Sequence, residues 1–403
     1  MRTPDEPDAG TVLCGATVVS GGRQQKADVL IQGGSCVAIE DRIRGDWHRI
    51  DLAGRYLTPG LVDIHVHGAI GASFDAAGVD TARGIAVELA RHGVTTFMAT
   101  LSSQPIPRIC EVLSQLDPSR WESAAPTARL AGVHLEGPYL SPSQRGAHAE
   151  ELLRTPNGRD TALLMAHVPA LRMMTLAPEL PGALDLIRTL TAAGVIVAVG
   201  HSAAKVEELR SAQAAGASHF THLWSGMNGV HRIGPWRHAG VVEQALSSSD
   251  MTADVIADGA HLPAELLEIA RRCLPGRLCL ISDASEGAGL PEGTVFGSQS
   301  YPFMVQNGVA EVVGEDSFAG SATLLDGMVR HVVKRLGWGV PEAITMATEL
   351  PAAIVGMQDS VGTLAAGRPA DMTVFDDDLR VVATMLDGRW VHDAGGLVTG
   401  PAT

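Results

Sequence analysis

Five short segments of this 403-residue chain each end an apolar run on a side chain able to bind a metal. They are LVDIHVHG with His65 and His67, LAGVHLEGP with Glu136, VIVAVGHS with His201, SHFTHLW with His222, and LCLISDAS with Asp283. A parallel strand delivers the residue at its C-terminal end to one mouth of a (β/α)8 barrel, so side chains distant in sequence meet there. A divalent metal needs several imidazoles and carboxylates to converge in that way. The text between these segments agrees: strand-like VDIHVHG, VTTFMATLSS and RLAGVHLEG alternate with helix-like TARGIAVELARHG and IPRICEVLSQL. Alternation of this kind implies an α/β fold with a parallel sheet, here closed into a TIM-like barrel. Gly93, Gly194 and Gly216 stand where helices are expected to stop before the next strand.

The flanks read differently. Residues 1–10 are expected to form a disordered leader. From Thr11 to about Ile50 the runs TVLCGATVVS, ADVLIQGGSCVAIE and HRIDL, separated by glycine pairs, are strand and hairpin text. Leu57-Thr58-Pro59-Gly60 marks a boundary, and β text returns beyond about Ala353 with GTLAAGRPADMTVFDDDLRVVATMLDGRWVHDAGG. The expected organisation is a hydrolase barrel over 59–358 and one small β-sandwich built from both termini, 11–58 with 359–403.

With 45% apolar and 19% charged residues, the chain can build a sizeable core. A net charge of −15 argues against nucleic acid or an anionic membrane surface as partner. A small molecule is expected instead, and an anionic one would need local arginines or main-chain donors. No run approaches the ~18 apolar residues of a membrane span, and the acidic MRTPDEPDAG lacks the features of a signal peptide. Five cysteines without a C-x-x-C pair suit a reducing compartment, so a cytoplasmic location is expected.

On a strand, residues i and i+2 face the same side, so His65 and His67 point together; the competing reading is a half-buried polar face. Glu136 precedes Gly-Pro at a strand end, as a ligand or as a capping or ion-paired carboxylate. His201 is followed by Ser202, expected to cap the next helix, and His222 repeats the His201 arrangement. Asp283 is read as a general base, with a helix cap as the alternative. His261, in VIADGAHLP, is read as a substrate contact rather than a further ligand. The only lysines are Lys26, Lys205 and Lys334, none at a strand end. A carboxylated-lysine metal bridge is therefore excluded, and Glu136 is the carboxylate that accompanies the histidines. Together these residues point to metal-assisted hydrolysis.

Along nearly the whole chain the motifs PGLVDIHVHG, HLEGPYLSPSQRGAH, GHSAA, THLWSGM, VIADGAH, LISDA and FAGSATLLDGM resemble the N-acetylglucosamine-6-phosphate deacetylase family of the amidohydrolase superfamily. The resemblance implies that Glu136, His201 and His222 bind the principal metal and that His65 and His67 hold a second. One or two divalent ions per subunit follow, zinc first and iron as the alternative. It further implies Asp283 as the acid/base, His148 as the group reaching the substrate carbonyl, His261 as a sugar contact, and Ala319 on the substrate side. In the family, main-chain donors after THL and an arginine from a neighbouring subunit hold a phosphate, which implies a homodimer. Here the family's Asn-Ala is replaced by Ser225-Gly226, and Arg-Glu-Pro-Gly becomes HRIGPWRHAG. Main-chain amides at Ser225 and Gly226 are expected to cradle the phosphate, with Arg232 or Arg237 as the arginine.

The implied reaction is hydrolysis of the N-acetyl group of an amino sugar, foremost N-acetylglucosamine-6-phosphate. The alternatives are a galacto or unphosphorylated substrate, another amidohydrolase-type amide hydrolase, or a barrel that only binds. The absent lysine bridge opposes a hydantoinase type, HLEGP and GAH oppose a deaminase, and the full ligand set opposes a purely binding role.

Overall fold

The computed structural model describes residues 10–76, 78–121, 127–298 and 301–397; of the expected leader, residues 1–9 lie outside the described residues. Eight parallel strands run in chain order through one sheet: β1 (Leu61–Val66), β2 (Val94–Leu101), β3 (Arg129–Glu136), β4 (Leu171–Leu176), β5 (Ile196–Val199), β6 (His219–Phe220), β7 (Thr252–Ile256) and β8 (Leu278–Ile281). Every residue of β1 and β2 is buried. Sheet strands covered on both faces have no solvent side, so they read as unbroken apolar runs.

The barrel closes just beyond the ends of β1 and β8. Asp283 N–H donates to His65 O at 2.9 Å, and His67 N–H donates to Ala284 O at 2.8 Å. Beneath them the Asp63 carboxylate accepts the Ser282 hydroxyl at 2.5 Å and its amide at 3.3 Å. Burial pushes Asp63 up to about 6 against the pull of those bonds. This seam sets His65 of β1, and His67 just beyond it, directly beside Asp283.

The helix Val79–Arg91 shows why the barrel's outer layer forms. Ala82, Ile85, Ala86 and Leu89 are its buried face, at the three- and four-residue spacing of one helical stripe. Burying Ile85 or Leu89 contributes about 1.5–3 kcal/mol each. The helix ends at His92, whose Nδ1 lies 3.0 Å from Asp326 and whose Nε2 lies 3.5 Å from Glu88. Burial lowers the pKa of His92, but the two carboxylates outweigh it and raise it above the ordinary value. A raised folded-state pKa gives stability that is complete below the unfolded value, ~6.5, and that fades as pH rises through the folded value. His92→Gln is therefore expected to lower the unfolding free energy relative to wild type more at about pH 5.5 than at about pH 9. Equal losses in denaturant melts at both pH values would contradict this.

A second, strand-rich unit of β-sandwich type joins the two ends of the chain. Its sheet runs Arg389–Asp393, Val381–Leu386, Met372–Phe375, Tyr56–Pro59, Thr11–Ser20, Arg23–Gln32, Ser35–Glu40. Register slips between Leu13 and Ala16, where Gly15 has φ +70°. Before the slip the strand pairs with His48–Asp51, and after it with Tyr56 and Leu57, so one strand serves two partners. Leu13, Val29, Leu57, Met372 and Val374 share a single core drawn from both termini. Arg129, at the start of β3, ties this unit to the barrel through Asp371 at 2.6 Å and Asp387 at 2.9 Å.

One element was not expected from the sequence. Between Asp283 and the helix Leu325–Lys334, the strands Val295–Ser298, Tyr301–Gln306, Val309–Val312 and Phe318–Ser321 form a four-stranded antiparallel flap. The signal was present: Asn307-Gly308 (φ +54° and +80°) is a hairpin pair flanked by β runs. Ser202 also departs from expectation. The helix after His201 starts at Val206, and Glu208 caps the Lys205 amide at 2.7 Å. The Ser202 hydroxyl instead donates to Glu179 at 2.8 Å. No described helix is long and apolar enough to cross a membrane.

Candidate metal centre and substrate cavity

The strand-end residues converge on Glu136. Its Oε1 lies 2.7 Å from His222 Nε2 and 3.0 Å from His201 Nε2. Its Oε2 lies 3.1 Å from His67, 3.4 Å from His148 and 3.6 Å from His65. Asp283 Oδ1 stands 3.4 Å from both His65 Nε2 and His67 Nε2. The next helix after Asp283 begins only at Leu325, so the capping alternative falls. His201, His222 and Asp283 hold φ of +47°, +30° and +45°. Side chains other than glycine rarely adopt this left-handed backbone, and such strain gathers at functional sites.

The ring tautomers test whether a cation fits. His201 Nδ1 donates to Gln144 O at 2.7 Å, and His222 Nδ1 donates to Ser225 O at 3.2 Å. With Nδ1 so engaged, each ring turns its Nε2 toward a carboxylate oxygen, a place that either a proton or a metal cation can fill. Imidazole nitrogens oriented by main-chain carbonyls, with a carboxylate opposite, suit catalytic zinc or iron. Among the described residues, the ligand atoms of His65, His67 and Glu136, and those of Glu136, His148 and His201, lie within 4.8 Å of one another. His148 has the opposite tautomer: Ser103 N–H donates to its Nδ1 at 3.3 Å, so Nε2 carries the proton. That makes it a hydrogen-bond donor to its surroundings rather than a metal ligand.

Electrostatics point the same way. Burial would raise Glu136, but His65, His148 and His201 hold its carboxyl well below the usual range. Asp283 is likewise held low, against burial, by His67, His65 and His222. Burial lowers His201, whereas at His222 the Glu136 carboxylate overcomes burial and pushes the ring up to about 9.

A supporting layer escaped the sequence reading. Asp254, fully buried, accepts the His222 main-chain N–H and lies 2.8 Å from His219 Nε2. His134, two residues before Glu136, packs its Nε2 2.7 Å from the Thr175 hydroxyl, and burial brings it down to about 3. Both pairs are buried scaffolding under the cluster. The H-x-E and H-F-T-H spacings were visible in the sequence, but their partners were not.

The cluster forms the floor of a cavity of about 510 Å³, within the range for small-molecule sites. Its walls include Ser225, Gly226 and His261, and the flap supplies Phe296, Phe303, Phe318 and Ala319. Ser225 N–H donates to His222 O at 3.0 Å. That corrects the expected cradle: the Gly226 amide and the Ser225 hydroxyl are the donors this pair has left. Gly226 sits at φ +58°, and a Cβ there would lie 2.6 Å from His201 Nδ1, so the close approach requires glycine. Arg232 and Arg237 are not in this cavity. They face each other on an exposed two-stranded ribbon, His231–Ile233 with Trp236–His238.

The amidohydrolase family model matches residues 56–391. The chain is 35% identical over 393 residues to the N-acetylglucosamine-6-phosphate deacetylase of Bos taurus, covering 93% of each. It is 33% identical over 336 residues to the N-acetylgalactosamine-6-phosphate deacetylase of Escherichia coli O157:H7, covering 83% of this chain and 87% of that one. A solved variant of the Mycobacterium smegmatis N-acetyl-D-glucosamine-6-phosphate deacetylase, in complex with N-acetyl-D-glucosamine-6-phosphate, superposes with a TM-score of 0.87 at 32% identity, covering 95% of this chain and 99% of that one. With likeness of that extent in both sequence and fold, the chain belongs to the N-acetylglucosamine-6-phosphate deacetylase family of the amidohydrolases.

Proposed function

We propose that the protein hydrolyses N-acetylglucosamine-6-phosphate to glucosamine-6-phosphate and acetate. The observation that carries this reading is the convergence of five strand ends, Glu136 at their centre, on the floor of a sugar-sized cavity, in a chain 35% identical to such a deacetylase. Glu136, His201 and His222 would hold the principal divalent metal, zinc or iron, and His65 with His67 a second. The chemistry a divalent cation supplies there is acidification of water and polarisation of the acetyl carbonyl. Asp283 accepts a proton from the water whose oxygen attacks the acetyl carbon. His148 Nε2–H donates to the acetyl oxygen as negative charge builds on it. Asp283 then returns the proton to the sugar nitrogen as the C–N bond breaks, releasing amine and acetate. His261 contacts the sugar, and Ala319 in the flap lines the substrate side.

For the phosphate, the donors are the Gly226 amide, the Ser225 hydroxyl, and Arg232 or Arg237 from a second copy in a homodimer. Val230, Ile233 and Trp236 on the same arm are 60%, 58% and 72% exposed, a patch suited to burial against a partner. Cys14, Cys36, Cys110, Cys273 and Cys279 are free thiols, which fits a cytoplasmic enzyme.

Acetate release tests the reading on N-acetylglucosamine-6-phosphate, its galacto epimer and unphosphorylated N-acetylglucosamine. The phosphorylated gluco sugar is expected to lead, with kcat/KM at least about 100-fold above the unphosphorylated one, as for loss of a charge-assisted anchor. Equal rates with and without phosphate would remove the phosphate from the assignment. The Escherichia coli relative favours a second reading, the galacto epimer, and a higher kcat/KM on that sugar would select it.

A further inference from the structure

A carboxylate outside the metal cluster organises the opposite wall of the cavity. Asp258 lies just beyond β7, with its side chain entirely buried. Its Oδ1 accepts the main-chain N–H groups of Ala260 and His261, both at 2.9 Å. Its Oδ2 accepts the His261 Nδ1–H at 2.7 Å and the Ser321 hydroxyl at 2.9 Å. Four hydrogen bonds to one carboxylate exceed what a turn-capping aspartate needs, and two of them reach side chains, His261 in the cavity wall and Ser321 next to the cavity-lining Gly320.

The first of these reads out as a tautomer. An ionised carboxylate only accepts, so His261 donates from Nδ1, and a ring that carries a single proton carries it there. His261 lines the cavity, and Nε2 is the ring nitrogen left to meet a ligand, as an acceptor for a sugar hydroxyl. The Phe318 ring, 5.0 Å away, fixes the imidazole from the flap side. The second bond reaches the flap. Ser321 ends the strand Phe318–Ser321; its N–H donates to Asp283 O at 2.8 Å, and its carbonyl accepts Ser285 N–H at 2.9 Å. Asp258 thus bears, through Ser321, on the turn where Asp283 is held in left-handed backbone.

We propose that Asp258 is a positioning residue for the deacetylation: it presents His261 Nε2 to the sugar as an acceptor and, through Ser321, locks the flap strand against the Asp283 turn. The role rests on the deacetylase reading above, since it assigns His261 a sugar hydroxyl to receive. Asp258→Asn separates it from plain turn-capping. The Asn oxygen can still accept both main-chain N–H groups, while its NH2 replaces the acceptor opposite His261 Nδ1. The ring must then carry its proton on Nε2 and face the sugar as a donor.

The experiment uses full-length, metal-loaded protein, with 15N NMR of the histidine rings, metal analysis and acetate release. Wild type is expected to show His261 protonated on Nδ1. Asp258→Asn should move that proton to Nε2 and lower kcat/KM by on the order of 100-fold, as for outer-shell partners of site histidines, with metal content unchanged. Ser321→Ala should keep the wild-type tautomer and lose less in kcat/KM than Asp258→Asn, since it removes one hydrogen bond to the carboxylate and leaves His261 Nδ1 its acceptor. A wild-type His261 protonated on Nε2 would overturn the proposal without any variant. So would an Asp258→Asn protein whose tautomer and kcat/KM match wild type. Wild type inactive on all hexosamine 6-phosphates would overturn the deacetylase reading, and the tautomer comparison would still decide the role of Asp258.

Discussion

Replacing Asp283 with asparagine is expected to lower kcat by about 10²–10⁴-fold, the range for a positioned general acid–base, while bound metal stays at the wild-type level. The side chain keeps its volume but loses its charge and its capacity to take a proton. Its placement supports that separation: Asp283 Oδ1 approaches the His65 and His67 rings at 3.4 Å, whereas the His201 and His222 rings are turned on Glu136. The His67, His65 and His222 rings hold Asp283 ionised, against its burial. An ionised Asp283 is in the form that the proposed mechanism needs, an acceptor for water's proton that can then return it to the amine. Acetate release with parallel metal analysis measures both halves. A variant that retains wild-type kcat would remove Asp283 from proton transfer.

Glu136→Gln is expected to act the other way round, with metal content falling at least about tenfold and activity falling with it. Among the described residues Glu136 is the one carboxylate within 3.0 Å of both His201 and His222, and its second oxygen faces His67 at 3.1 Å. An amide of the same shape keeps the packing and removes the negative charge that these imidazoles surround. Because a bound ion stabilises only the folded state, the variant should melt like chelated wild-type protein and gain nothing from added zinc. Calorimetry with and without chelator gives this independently of turnover. A Glu136→Gln protein that keeps its metal, beside an Asp283→Asn protein that loses it, would exchange the two roles.

Much of the site could be read along the chain. A parallel barrel converts a one-dimensional regularity, an apolar run closed by a metal-type side chain, into a shared location at one mouth. His65, His67, Glu136, His201, His222 and Asp283 were found that way, and all of them meet. The alternation of strand and helix text likewise carried the barrel. The flap did not come through, although Asn307-Gly308 marks its hairpin, because nothing local says that a hairpin inserted after β8 folds back over the cavity. Ser202 misled for a related reason. Its composition suits a helix cap, and only packing reveals that Glu179, 23 residues earlier, takes its hydroxyl.

The chain by itself determined which residues stand at strand ends, since burial of both sheet faces leaves unbroken apolar runs whose last residue is legible. Tertiary structure alone decided what each of them can do. It turned His201 and His222 toward Glu136 by giving their Nδ1 protons to Gln144 and Ser225 carbonyls, and gave His148 the opposite tautomer through Ser103. It also took the Ser225 amide out of any phosphate cradle and set Arg232 and Arg237 on an exposed arm. Hydrogen-bond partners tens of residues apart are chosen by the packing of whole elements, and proton position follows the partner rather than the residue type.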